Sequence, residues 1–218
     1  DPLRYLQLAK EKLKHDGKIF ISTSQADMVL NGEFDTIYHE HISFYNAESM
    51  RRLAERAGLY LTDVVKTPIH GTSYIFVLSQ QPANTYRMAN ILDYERRAGL
   101  QTPDTYVLWA SRVKNLLKDL KSELDFFRTA GYKLVGYGAA AKGMTLLNAS
   151  NIPLDCVIDD NPLKQGLYCP GSNIPVVGSE YITTLNNKTV FIPLAWNFYS
   201  EIKTKIKTLR NNSEDIFL

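Results

Sequence analysis

Residues 133–143 read KLVGYGAAAKG, and this stretch decides the fold. Lys133–Val135 is a short apolar strand. The glycines and alanines that follow open a helix, AAKGMTLLNAS. Small residues at a strand-to-helix turn let the backbone approach a ligand, and the first N–H groups of the helix have no partner within it. Asp159 and Asp160 close the next apolar run, a little over twenty residues on. A dinucleotide fold keeps its ribose acid at that position. Three alanines depart from the usual glycine spacing, and Lys142 arrives near the place of the third glycine. Two readings stay open. Gly136, Gly138, Lys142 and Asp159 bind an anionic ligand, or the glycines serve only close packing of strand on helix.

Outward from this loop the pattern continues as LDCVIDD, IPVVG, a helix, TVFIPLA and a last helix, a small α/β unit over 132–218. Upstream, 82–131 is helical in period and broken at Thr102-Pro103. Leu116, Leu120, Leu124 and Phe127 recur at three- and four-residue steps, and the spacing predicts a packed stripe. Residues 1–81 predict a helix at about 2–14 stopped at Gly17, a buried strand KIFIS (18–22) and a loop 23–36 with an Asn31-Gly32 turn. A helix over 46–58 follows, with Asn46 as cap, Glu48 and Glu55 beside arginines and Gly58 as stop; then come two strands joined around PIHG. That order suits the second half of a doubly wound sheet ending in an antiparallel hairpin.

Composition narrows the class. The 218 residues are 44% hydrophobic and 22% charged, with a formal net charge of +2. Nothing in that balance suits nucleic acid or a membrane surface. Cys156 and Cys169 form no paired motif, and a reducing, cytoplasmic setting is the expectation. The chain opens directly on an amphipathic helix, which reads as a piece of something longer.

IYHEHISFY (37–45) is the densest chemical cluster. His39 and His41 could share a metal with His70, but no carboxylate or cysteine completes a set. The four polar residues could instead satisfy one another. The third reading is proton chemistry, in which an imidazole takes a proton, a carboxylate orients it and a phenol steadies an oxyanion. Alternation on an extended segment would put Tyr38 and Glu40 on one face and His41 on the other, so the scheme predicts irregular backbone between Glu40 and Ile42.

FDTIYHEHISFYNAESMRRLAERAGL (34–59), PIHGTSY (68–74), VGYGAAAKGMTLLN (135–148) and IDDNPLKQGLYCPGSNIPV (158–176) together resemble the sugar C-methyltransferase family. Its members use S-adenosylmethionine to methylate a carbon of a nucleotide-linked keto-deoxysugar. They join a zinc-binding N-terminal domain, a class I methyltransferase domain and a Rossmann-like C-terminal domain. The resemblance implies that 1–81 closes the methyltransferase sheet, 82–131 is a helical connector and 132–218 is the C-terminal domain. It also implies that the zinc domain, the glycine-rich S-adenosylmethionine loop and a further catalytic histidine precede residue 1. The Y-x-E-H motif of the family falls on Tyr38, Glu40 and His41, and His70 belongs to its substrate-binding motif. At that motif Thr72 stands for a glycine and Ile75 for an arginine. The implied partner is a nucleotide sugar.

Overall fold

The computed structural model describes residues 1–24, 27–68 and 72–218. They form two compact units: 1–34 with 39–112, and 35–38 with 113–218. No helix among the described residues is long and apolar enough to cross a membrane.

The first unit begins with α1 (Pro2–Lys12), whose N-cap is Asp1: its carboxylate accepts the Arg4 N–H at 3.0 Å. The helix ends at Leu13 in extended conformation rather than at Gly17. β1 (Lys18–Ser24) follows. The expected loop 23–36 instead holds a short helix, α2 (Asp27–Asn31), and a 3-10 turn, Phe34–Thr36. Gly32 between them takes a φ of +77°, which suits glycine. α3 (Ala47–Arg56) starts at Asn46, whose side chain accepts the Ser49 N–H at 2.7 Å while Ser49 Oγ takes the Asn46 N–H. This is a reciprocal cap. Gly58, at φ +69°, terminates it as predicted. Arg51 spans Glu48 and Glu55, and Arg52 joins Glu48 at 2.7 Å.

β2 (Tyr60–Thr67) and β3 (Ser73–Ser79) form the expected antiparallel pair, and β1 pairs antiparallel to the other side of β3. The sheet order is β1-β3-β2. One face carries Leu61, Val64, Tyr74, Phe76 and Leu78 against Leu6, Met50, Leu53 and, from α4 (Tyr86–Arg97), Met88. The prediction that 18–22 is buried fails: β1 has one pairing partner, its residues alternate, and Phe20 is 67% exposed.

α5 (Pro103–Thr129) starts at the predicted break and crosses from one unit to the other at 112/113. Its stripe packs only in part. Leu124 is fully buried, with Leu120 and Phe127 beside it, but Leu116 is 56% exposed, because the core of the second unit meets only the end of the helix.

The second unit has β4 (Lys133–Tyr137), α6 (Ala141–Ser150), β5 (Cys156–Ile158), β6 (Val176–Val177), α7 (Tyr181–Thr184), β7 (Thr189–Pro193), α8 (Tyr199–Leu209) and β8 (Ile216–Phe217). All pairings are parallel, in the order β6-β5-β4-β7-β8. β8 was not foreseen in the sequence. Side chains alternate across the sheet. Leu134, Val157, Val190 and Ile192 face α5 and α6, whereas Val135, Ile158 and Phe191 face α7 and α8. A parallel sheet covered on both faces is the Rossmann-like arrangement that the glycine loop predicted.

Candidate functional site

In the second unit the chain leaves β4 for β5 and β6 on one side and returns to β7 and β8 on the other. Strand order therefore reverses between β4 and β7, and ligands of open α/β sheets gather beyond the carboxyl ends of strands at such a point. A crevice of about 310 Å³ lies there, lined by Tyr137, Gly138, Asp160, Ala195, Phe198 and Lys205, among others.

The glycines of the loop have packing reasons of their own. A Cβ on Gly136 would stand 2.9 Å from Leu154 and from Leu194, in the middle of the sheet. Gly138 has a φ of +99°, and its Cβ would stand 2.8 Å from that of Ala195. Gly136 is buried and Gly138 half-buried, so of the two only Gly138 reaches the crevice.

The two aspartates after β5 divide the work. Asp159 is buried: it accepts the Ala139 N–H at 2.7 Å, the Asn161 N–H at 2.9 Å and the Lys164 ammonium at 3.1 Å. Lys164 also donates to the Ala139 carbonyl at 2.8 Å, so this pair fastens the glycine loop to the 159–164 loop. Asp160 is the exposed member. Tyr137 Oη donates to it at 3.0 Å and Lys205 Nζ at 2.6 Å. Burial raises the Asp160 carboxyl, but hydrogen bonds from Lys205 and Tyr137 outweigh it and hold it below the usual range. Burial likewise raises the Tyr137 phenol, which stays a neutral donor. The sequence singled out Asp159 for a ligand; Asp159 and Asp160 both line the crevice, with Asp160 the more exposed of the two, and Tyr137 and Lys205 were missed. The one available signal for Tyr137 was its place two residues after Val135 on the same strand face.

α6 begins at Ala140, which offers no side-chain cap. Lys142 lies half-buried in its first turn, with Nζ 4.3 Å from the ring centre of Trp196. The Trp196 indole N–H donates to Asp35 at 2.6 Å, and so ties 35–38 to this unit. A helix N-terminus without a side-chain cap, with a lysine in its first turn, suits an anion.

Residues 37–44 hold no strand. Tyr38 sits at a bend, His39 and Glu40 form a turn, and 41–44 are irregular. The expected break in the backbone at Glu40–Ile42 is present, so strict alternation of faces does not apply. The segment does not follow β1 directly, since α2 and the 3-10 turn intervene. Tyr38 groups with the second unit, and His39, Glu40 and His41 with the first. Tyr38 and His41 are half-buried, while His39 and Glu40 are exposed. The His41 ring meets Phe44 edge to face, 6.3 Å between centres. Phe44 in turn packs on Met28, Val29 and Leu100. His70 lies outside the described residues. Among those described, no group of three His, Cys, Asp or Glu residues could hold a metal ion.

Comparison with known proteins places these elements. Residues 1–64 match a methyltransferase domain model. The chain is also 30% identical over 207 residues to C-methyltransferase NovU of Streptomyces niveus, a match that covers 92% of the chain and 49% of the relative. The chain therefore spans about half the length of the curated relative it matches. Residues 68–217, from the end of β2 through the parallel sheet, match the C-methyltransferase C-terminal domain, and the chain belongs to that family.

Proposed function

We propose that this chain is part of an enzyme that moves a methyl group from S-adenosylmethionine to the carbon beside the keto group of a nucleotide-linked deoxysugar. In this reading 1–81 closes the methyltransferase sheet, 82–131 connects, and 132–218 holds the nucleotide. The observation that supports it most is the broken backbone at 38–44, which frees Tyr38, Glu40 and His41 from opposite strand faces. A proton on carbon beside a ketone is weakly acidic, and a positioned base contributes on the order of 10²–10⁴-fold to its removal. His41 is assigned as base, Glu40 orients or charges it, and Tyr38 donates to the enolate oxygen.

S-adenosylmethionine would supply the methyl group. Among the described residues of 1–81, no glycine-rich strand–loop–helix turn follows a strand to hold it. Zinc belongs to this proposal only as a resident of an upstream domain.

The test is solvent exchange of the substrate α-proton in the full-length enzyme without methyl donor. His41→Ala should abolish exchange and Tyr38→Phe should slow it. Normal exchange in His41→Ala would move the base elsewhere, first to a histidine upstream of residue 1.

The nucleoside diphosphate is assigned to the α6 N-terminus and Lys142, beside the crevice at β4 and β7. Lys142→Ala should raise substrate KM about tenfold, the loss of one charge-assisted contact; an unchanged KM would put the diphosphate elsewhere. A second reading, a nucleotide-binding module without catalysis, draws on the same crevice. It predicts that nucleotide binds while the α-proton never exchanges.

A further inference from the structure

Glu95 is fully buried on α4, in the first unit. Its carboxylate points at the start of a different helix: it accepts the Ala47 N–H at 2.8 and 3.0 Å and reaches the Glu48 N–H at 3.4 Å. Asn46, the residue before, already caps α3 through Ser49. It also donates its side-chain amide to the Leu100 carbonyl at 3.2 Å, which receives the Tyr106 hydroxyl at 2.9 Å. Leu100 itself packs with Met28, Val29 and Phe44. The end of α4 and the turn after it thus grip the point where the irregular segment 39–45 enters α3. No ion pair to Glu95 is present among the described residues. A carboxylate taken wholly out of water without a cation is costly, and an ordinary helix cap needs none.

We infer that Glu95 is a positioning residue for the reaction: by holding the first amides of α3 it fixes the C-terminal anchor of the segment that carries Glu40 and His41. The inference rests on the catalytic assignment of that segment. The groups that face Glu95 are Asp27 from α2, Glu48 from α3, Tyr74 from β3 and Tyr106 from α5. Lys66 is spent on Asp27 at 2.6 Å. Burial raises the Glu95 carboxyl to about 7, against the opposing pull of the Ala47 and Glu48 N–H groups, with Asp27 and Glu48 adding to the rise.

Two measurements test it. Amide hydrogen exchange on the 218-residue chain compares wild type with Glu95→Ala and Glu95→Gln. In Glu95→Ala, residues 39–48 should exchange roughly tenfold faster, the loss of one buried cap. The strands β2 and β3 should keep their protection. Glu95→Gln retains one acceptor oxygen and should recover most of the loss. If Glu95→Ala fails to fold, Glu95→Met decides, since it keeps the volume but offers the amides no oxygen: exchange in 39–48 that matches wild type in that variant overturns the clamp. The second measurement is α-proton exchange in the full-length enzyme, where Glu95→Ala should lower the rate at saturating substrate about tenfold and leave KM unchanged, with Glu95→Gln restoring the rate. The wild-type rate should also change through neutral pH in a way the Gln variant lacks. Wild-type rates in Glu95→Ala, with His41→Ala inactive, would overturn the positioning role. A His41→Ala enzyme that still exchanges would sink the catalytic assignment instead, and the amide measurement would then judge the clamp alone.

Discussion

Two buried carboxylates, Glu95 and Asp159, show how much a partner matters at the scale of one residue. Asp159 has the Lys164 ammonium at 3.1 Å and two backbone N–H groups. Glu95 has backbone N–H groups and, among the described residues, no cation. Burial therefore wins at Glu95, and its carboxyl rises from 4.5 to about 7. The folded chain then holds the proton more tightly than the unfolded chain does. The resulting stabilisation is complete below pH 4.5 and is lost as pH rises through about 7, a swing of about 3 kcal/mol. Urea unfolding at pH 4.5 and pH 8 should show this loss in wild type relative to Glu95→Gln, which cannot titrate. An equal stability difference at the two pH values would mean that Glu95 ionises normally. Neither carboxylate announced its role in the sequence. Glu95 sits in LDYERRAG, a stretch that reads as a solvated helix face, and only the packing of α4 against β2 and α3 buries it.

At the scale of elements, the glycine loop separates what a local pattern says from what packing adds. The strand, the turn and the helix were legible in KLVGYGAAAKG because small residues at a strand end permit few alternatives. Which glycine serves which purpose was not legible. A methyl group on Gly136 would press on Leu154 and Leu194 from neighbouring parts of the sheet. Gly136→Ala should destabilise the chain by about 1–3 kcal/mol through overpacking, measured by thermal or urea unfolding. A neutral effect would mean that Leu194 and Leu154 yield at little cost and that the glycine is kept for another reason. The stripe on α5 teaches the same lesson from the other side. Its period was correct, yet Leu116 stands in solvent because the core ends near Leu120.

For the whole molecule, two compact units carry separate cores, one under β1-β3-β2 and one around the five-stranded parallel sheet. Among the described residues, neither shows a second glycine-rich strand–loop–helix turn of the kind that would cradle a methyl donor. Calorimetry of the 218-residue chain with S-adenosylmethionine should accordingly give no measurable heat of binding, and the chain alone should transfer no methyl group. Tight binding would mean that residues 1–81 build a donor site of a different kind. Among the described residues β1 pairs on one side only and turns Phe20 outward, and an unpaired edge of this kind is a template for another strand.

The sequence by itself determined the α/β class, most elements, the start of α3 at Asn46 and the break in the backbone between Glu40 and Ile42. These follow from local rules: side-chain period, caps, and glycines that accept positive φ. It also carried the family, through motifs in fixed order. The tertiary structure alone decided that β1 is an edge among the described strands, that Asp159 is buried while Asp160 stays exposed, that Tyr137 and Lys205 join Asp160, and that Glu95 grips α3. Each of those depends on groups brought together from distant parts of the chain. Burial and pairing are properties of a neighbourhood, and a neighbourhood exists only once the chain has folded.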